Sequence, residues 1–264
     1  MEFNGRVVLV LGAVGGLGRA ICSQMGRGGA SLGLVDRDAA KLSALQEELK
    51  AANIRSVVAV ADLRSREQTR AAVETVAAQL GPVDILVAAA GVCGVSLVED
   101  LRVEELETIV QVNFLGVVYA IEAVLPGMLE RKRGQIAAIA SLSSFRGIPF
   151  ESAYCASKAA LTSYLESLRP PLRRRGVEVT TLFPGFIRTP LLETLLAEGG
   201  SKPPPGVIEP ENAAERIVWA IRRGRRVYAF PWSLSLLVHA SRFLPAFLWD
   251  WVQTRMAATF RLPY

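Results

Sequence analysis

Short runs of continuous apolar residues alternate along this chain with longer stretches whose apolar residues recur every three or four positions. The runs are Arg6 to Leu11, Ser31 to Val35, Ser56 to Val60, Asp84 to Val87, Gln135 to Ala140 and Val177 to Leu182. Runs of this length without polar alternation mark strands buried on both faces, and the helices between them supply the cover. The pattern predicts an α/β fold, a parallel sheet doubly wound through right-handed crossovers. With 264 residues and 51% hydrophobic content the chain can fill one large core. Residues 1–230 read as one layered unit, and 231–264 as a hydrophobic helical extension of the same domain. In that extension Leu234, Leu237, Val238, Phe243, Phe247, Leu248 and Trp251 fall at near-helical spacing with arginines between them. Such a stripe is expected to pack on the core or on a partner subunit. The sharper alternative is a greasy lid or interfacial helix.

The first apolar run leads directly into Gly12-Ala13-Val14-Gly15-Gly16-Leu17-Gly18, which opens a helical segment. Glycines between a strand and a helix let the backbone turn sharply and bring a pyrophosphate to the unsatisfied amides of the helix N-terminus. In this order the elements form a Rossmann-type dinucleotide fingerprint. The second run ends at Asp36, about 20 residues beyond the loop, where a carboxylate accepts from the adenosine ribose and repels a 2′-phosphate. NAD is therefore favoured. Arg37 leaves NADP open, because a guanidinium there accommodates that phosphate. Asp36 is also a candidate N-cap for a helix from Ala39 to Lys50.

Charge and rare residues narrow the field. The net charge is +5, with arginines crowded at 173–175 and at 222–226. Each cluster sits near a predicted helix end, where cations complement the dipole, and no nucleic-acid module accompanies them. Nucleic acid is not an expected partner. Cys22, Cys93 and Cys155 are odd in number and widely spaced, which argues for a reducing compartment. With His239 as the one histidine, zinc sites and histidine triads lack their residues, so no metal is expected. No signal peptide precedes the first strand, and the longest stretch free of Asp, Glu, Lys and Arg, Val227 to Ser241, is too short to span a bilayer. A cytoplasmic protein is expected, with peripheral membrane contact through the C-terminal helices as a further possibility.

Tyr154 and Lys158 lie four residues apart among helix-forming neighbours, so both side chains project from one helix face. An ammonium beside a phenol favours the phenolate and brings the group toward proton exchange with a substrate oxygen. Taken alone, Tyr-x-x-x-Lys also arises by chance.

With both motifs the chain resembles the short-chain dehydrogenase/reductase family over roughly residues 5 to 225, and its C-terminus is similar to the hydroxysteroid and lipid-active branch. Further segments fit in family order. Asp62, followed by Leu63, matches the acidic residue that holds the adenine amine. Ala90-Gly91 matches the end of an Asn-Asn-Ala-Gly motif, and Asn113 the helix asparagine of the catalytic tetrad. Pro184-Gly185 with Ile187 and Thr189 matches the loop gripping the nicotinamide carboxamide. The family spacing points to Ser141 as the catalytic serine, with Ser143 in reserve. The resemblance implies that Tyr154 is the general acid/base and that Ser141 bonds the substrate oxygen. Lys158 would lower the tyrosine pKa and hold the nicotinamide ribose, and Asn113 would order a water linking Lys158 to solvent. It implies hydride exchange between nicotinamide and a lipophilic secondary alcohol or ketone such as a steroid, retinoid or fatty acyl derivative, in a homodimer or homotetramer. A non-catalytic dinucleotide sensor or scaffold is the competing reading; the intact Asn-Ser-Tyr-Lys set speaks against it.

The chain departs from the family pattern in places. Leu11, Ala88 and Ala89 replace polar residues that tie the first and fourth strands together, and apolar packing is expected instead. Gly15 stands where NADP-preferring relatives are often basic. Pro170-Pro171 predicts a helix that kinks or stops near Leu168. The segment Glu198 to Pro205 is stiff and loop-forming, suited to a flap over the substrate.

Overall fold

The protein, seen here as a computed structural model, is described over residues 3–95, 97, 99–199, 204 and 206–259. Seven parallel strands form one sheet: β1 (Val7–Leu11), β2 (Ser31–Asp36), β3 (Ser56–Val60), β4 (Ile85–Ala88), β5 (Gly134–Ile139), β6 (Val177–Pro184) and β7 (Val227–Phe230), in the order 3-2-1-4-5-6-7. The order reverses direction between β1 and β4. In an open α/β sheet that reversal opens a crevice at the strands' carboxyl ends, where ligands bind. All seven carboxyl ends lie on one edge, so the residues that follow the strands meet there.

Helices cover both faces. On one side α1 (Gly16–Arg27), α2 (Ala39–Ala51) and α8 (Pro210–Arg222) enclose a core that includes Val8, Val10, Leu32, Leu34, Met25 and Ile217. On the other, α3 (Arg66–Leu80), α5 (Gly116–Glu130) and α6 (Ser152–Arg173) bury Leu9, Leu11, Val76, Val117, Ile121 and Leu161. Alternate residues of β1 thus point into opposite cores, which is why that strand reads as an unbroken apolar run. The helix α4 (Val103–Val110) runs through a π-turn at Gln111–Leu115 into α5. Taken together, Val103–Glu130 is long and apolar enough to cross a membrane, yet Val117, Ala120, Ile121, Val124 and Met128 are buried against the sheet. The strand β1 pairs with β4 through Leu11 and Ala88, both essentially fully buried, so the two strand ends meet through apolar packing.

Two expectations are corrected. Asp36 does not cap α2; Asp38 does, accepting from the Lys41 amide at 3.0 Å. Asp36 instead accepts from the amides of Arg37 and Asp38 and stays at the strand tip. The helix α6 does not stop near Leu168 but continues through Pro170 and Pro171 to Arg173. Proline's fixed φ suits a helix, and the carbonyls left without partners belong to Glu166 and Ser167, both exposed and open to water. Leu165 and Leu172, two turns apart and buried, keep that end of α6 on the sheet.

The extension forms α9 (Trp232–Ser241) and, after α7 (Pro190–Gly199) earlier in the chain, closes the fold with α10 (Ala246–Thr259). Its stripe does not pack on the core as a unit. Leu234 and Val238 pack against Ala140, Leu142 and Phe183, whereas Leu237, Phe243, Phe247 and Trp251 are exposed at 67%, 89%, 70% and 58%. The proposed flap at 198–205 lies largely outside the described residues.

Candidate active site

The glycine loop is shaped by what a side chain would strike. Gly12 has φ +74°, and a Cβ there would come within 2.5 Å of the Ala90 Cα. A Cβ on Gly18 would stand 2.0 Å from the Gly12 carbonyl oxygen. Gly16 faces the Thr189 methyl, which a Cβ would meet at 3.2 Å, so the loop after β6 closes over the loop after β1. Gly15 is the N-cap of α1 and supplies no side-chain acceptor, while Leu17 and Gly18 are buried in the first turn. The amides of that turn are left for a ligand, the arrangement an anionic phosphate requires.

The other cofactor candidates line the same edge. Asp36 ends β2, with Arg37 exposed beside it. The Asp62 carboxylate is held by the Arg64 guanidinium, whose Nη2 lies at 2.6 Å and whose Nε reaches both oxygens. That hydrogen-bonded pair keeps the Asp62 carboxyl below its ordinary range, with Arg37 adding to the effect. Any ligand donor that reaches Asp62 would therefore share it with Arg64. Leu63 is buried and would clash with any Cβ on Gly116. A Cβ on Gly91 would lie 3.5 Å from Lys158 Nζ and 3.6 Å from Asn113 Oδ1, so Ala90-Gly91 leaves a floor over both. Beyond β6, which ends at Pro184, the Gly185 amide donates to Phe230 O at 2.8 Å, Ile187 bridges Ile208, and the Thr189 hydroxyl reaches Ile187 O at 3.4 Å.

Four polar residues converge between β4, β5 and α6. Ser141 follows β5 and caps a short 3-10 turn, its Oγ accepting from the Ser143 amide at 3.1 Å. Its side chain hydrogen-bonds the Tyr154 phenol, an interaction that favours the phenolate. Ser141, not Ser143, is thus the serine on the tyrosine. Lys158 lies one turn on, 3% exposed, with Nζ donating to Ile139 O at 2.9 Å and standing 5.8 Å from the centroid of the Tyr154 ring. Asn113, in the π-turn and fully buried, accepts from the Val92 amide at 2.8 Å and donates to Val92 O and to Ser157 Oγ. Its amide is wholly engaged in fixing the strand-to-helix loop above Gly91.

The electrostatics differ from the expected pairing. Burial raises the Tyr154 pKa well above the ordinary phenol, and the charge of Glu151 adds to the rise; only Ser141 opposes it. Lys158, its ammonium turned to the Ile139 carbonyl, is itself pulled down to about 8 by burial. In the protein alone the phenol is therefore neutral and poised to donate, rather than lowered by Lys158.

Sequence reasoning missed three contributors. Ser157 anchors Asn113, and Glu151 stands one turn before Tyr154. The extension also clamps the segment between Ser141 and Tyr154: Arg146 donates to Leu244 O at 3.2 Å, Gln253 to Gly147 O at 3.1 Å, and the Phe145 ring lies 4.3 Å from that of His239. The i−3 spacing of Glu151 was legible; the long-range clamp was not.

A doubly wound sheet with a side-chain-free phosphate cradle beside a serine-bonded tyrosine and a buried lysine defines a dinucleotide-binding α/β protein of oxidoreductase type. The short chain dehydrogenase family matches residues 6–199, and the chain belongs to that family. An uncharacterized oxidoreductase of Myxococcus xanthus is 35% identical over 97% of this chain and 99% of its own length. A glycine betaine reductase of Emericella nidulans is 32% identical over 85% of this chain, which spans only 18% of that protein. Among solved structures, levodione reductase superposes with a TM-score of 0.81 at 26% identity, covering 89% of this chain and 99% of the other. A short chain dehydrogenase/reductase from Burkholderia phymatum in complex with NAD superposes at 0.83 and 24% identity, over 90% and 93% of the two chains, a likeness of fold.

Proposed function

We propose that this protein is a nicotinamide-dependent dehydrogenase or reductase that interconverts a secondary alcohol and a ketone, with NAD preferred. The hydrogen bond of Ser141 to the Tyr154 phenol, beside buried Lys158 and next to the glycine cradle, carries this reading. A bound nicotinamide cofactor would supply or accept the hydride. Gly12, Gly15, Gly16, Leu17 and Gly18 would seat its pyrophosphate, Asp36 and Arg37 its ribose, and Asp62 and Leu63 its adenine. Ala90, Gly91 and the loop from Pro184 through Gly185, Ile187 and Thr189 would border the nicotinamide half.

In reduction Tyr154 gives its proton to the developing alkoxide, and Ser141 donates a hydrogen bond to the same oxygen. Lys158, whose ammonium now donates to the Ile139 carbonyl, would hold the nicotinamide ribose of a bound cofactor. Asn113, its side chain engaged with Val92 and Ser157, would order a water that links Lys158 to solvent.

A lipophilic substrate, such as a steroid, retinoid or fatty acyl derivative, is favoured by the exposed apolar residues of the C-terminal extension, Leu237, Phe243, Phe247 and Trp251. The test is turnover of steroid, retinoid and long-chain ketones or alcohols with each nicotinamide cofactor, followed at the nicotinamide absorbance. Activity on small hydrophilic ketones alone would remove the lipophilic part. We also infer peripheral contact of α9 and α10 with anionic membranes. Trp232, Phe243, Phe247 and Trp251 are exposed, and residues 231–264 hold three arginines against one aspartate. Failure to co-float with phosphatidylserine vesicles would remove that contact. We infer a cytoplasmic protein that forms a homodimer or homotetramer.

A further inference from the structure

We propose that Glu151 recognises the substrate, its carboxyl accepting from a hydroxyl or a protonated amine that the ketone carries a few bonds from the reacting carbon. The inference rests on the oxidoreductase reading above and narrows its substrate to an amphiphile with one donor group.

Glu151 is the N-cap of α6, one turn before Tyr154. Residues three apart on a helix share a face with Cβ atoms roughly 5–6 Å apart, a span that a hydroxylated or aminated ketone bridges from phenol to carboxyl. The backbone at this point is fixed: the Glu151 amide donates to Ile148 O at 3.2 Å, and its carbonyl accepts from the Cys155 amide at 2.8 Å. The charge of Glu151 raises both the Tyr154 phenol and the Cys155 thiol.

The carboxyl is partly buried, and among the described residues no hydrogen bond or ion pair reaches it. An N-cap side chain ordinarily accepts from the first-turn amides, but this one does not. The cations nearby are engaged elsewhere. Arg146 donates to Leu244 O and stacks on Trp249, Arg242 lies over Phe145, and Lys158 donates to Ile139 O. Burial raises the carboxyl to about 7, so at neutral pH a substantial share is charged with no protein donor to answer it. Its oxygens keep some access to solvent, so water is what a ligand would displace from them. A ligand that brings the donor replaces that water, and one polar contact in an otherwise apolar wall sets orientation.

The experiment compares kcat/KM for cyclohexanone, 4-hydroxycyclohexanone and 4-(dimethylamino)cyclohexanone in the full-length parent, Glu151→Gln and Glu151→Leu. The readout is the ratio of each donor-bearing ketone to cyclohexanone, in which any general loss of folding or activity cancels. The parent should favour at least one donor-bearing ketone by about tenfold or more. Glu151→Leu should bring both ratios near one, and Glu151→Gln should keep a preference for the hydroxyl but lose one for the ammonium. Flat ratios in the parent, or a preference that survives in Glu151→Leu, overturn the inference while reduction of cyclohexanone leaves the oxidoreductase reading standing. If the parent reduces none of the three yet turns over a steroid, retinoid or long-chain ketone, the inference alone falls; if it turns over no ketone or alcohol at all, the reading beneath fails with it.

Discussion

Lys158 Nζ donates to the Ile139 carbonyl at 2.9 Å, so the ammonium is tied to the end of β5. Burying that charge is unfavourable, and it pulls the folded lysine down to about 8 from the ordinary 10.5. A base with a lowered folded pKa costs stability below about pH 8, and the cost fades as the pH rises toward 10.5, because the unfolded chain binds more protons in that window. Lys158→Met should therefore raise the melting temperature near pH 7, by an amount equivalent to about 1–3 kcal/mol after the lost hydrogen bond is counted. The gain should shrink between pH 8 and 10.5 and be accompanied by loss of turnover. Thermal melts across that range check it.

Glycines at two positions in the same loop should behave differently. A Cβ on Gly18 strikes the Gly12 carbonyl oxygen at 2.0 Å, whereas one on Gly15 meets it at an ordinary 3.4 Å. Gly18→Ala should be destabilised by about 1–3 kcal/mol, the usual cost of overpacking. Gly15→Ala should melt close to the parent. Thermal unfolding of the two proteins without cofactor separates these outcomes.

The Glu151 charge raises the Tyr154 pKa, and so do Cys93 and Cys155, while Ser141 lowers it. Removing the charge in Glu151→Gln should shift the tyrosine limb of the alcohol-oxidation pH profile to lower pH. Ser141→Ala removes the hydrogen bond that favours the phenolate and should shift the limb upward. Profiles of kcat/KM for oxidation test both signs.

Asp36 sits at the tip of β2 with Arg37 exposed next to it. Asp36→Ser should lower kcat/KM with NAD and raise it with NADP, because repulsion of a 2′-phosphate is lost while the guanidinium remains. Steady-state kinetics with both cofactors would show an unchanged ratio if Asp36 does not meet the ribose.

The sheet was legible because its strands are buried on both faces, leaving uninterrupted apolar runs such as Val7 to Leu11 and Gln135 to Ala140. The glycine loop was legible because only glycine suits its contacts. What stayed hidden depends on partners distant in the chain or on local competition. The Arg64 fork on Asp62 and the Lys158 bond to Ile139 cannot be read from spacing. Asp38 outcompetes Asp36 as the cap because it lies one residue before the first turn of α2. The prolines at 170 and 171 were read as breakers, yet the buried pair Leu165 and Leu172 outweighs their local cost. In the extension, periodicity marked helices correctly but could not tell which apolar residues meet the core, since Leu234 and Leu237 are alike in sequence and opposite in exposure.

The central claim is that the Tyr154 phenol exchanges a proton with the substrate oxygen. Tyr154→Phe keeps the ring and removes the hydroxyl, so turnover should fall by about 10²–10⁴-fold, the usual worth of a positioned acid–base group. Nicotinamide cofactor affinity, measured by fluorescence titration, should stay within a few-fold of the parent. Turnover near the parental rate in that variant, with cofactor still bound, would contradict the account.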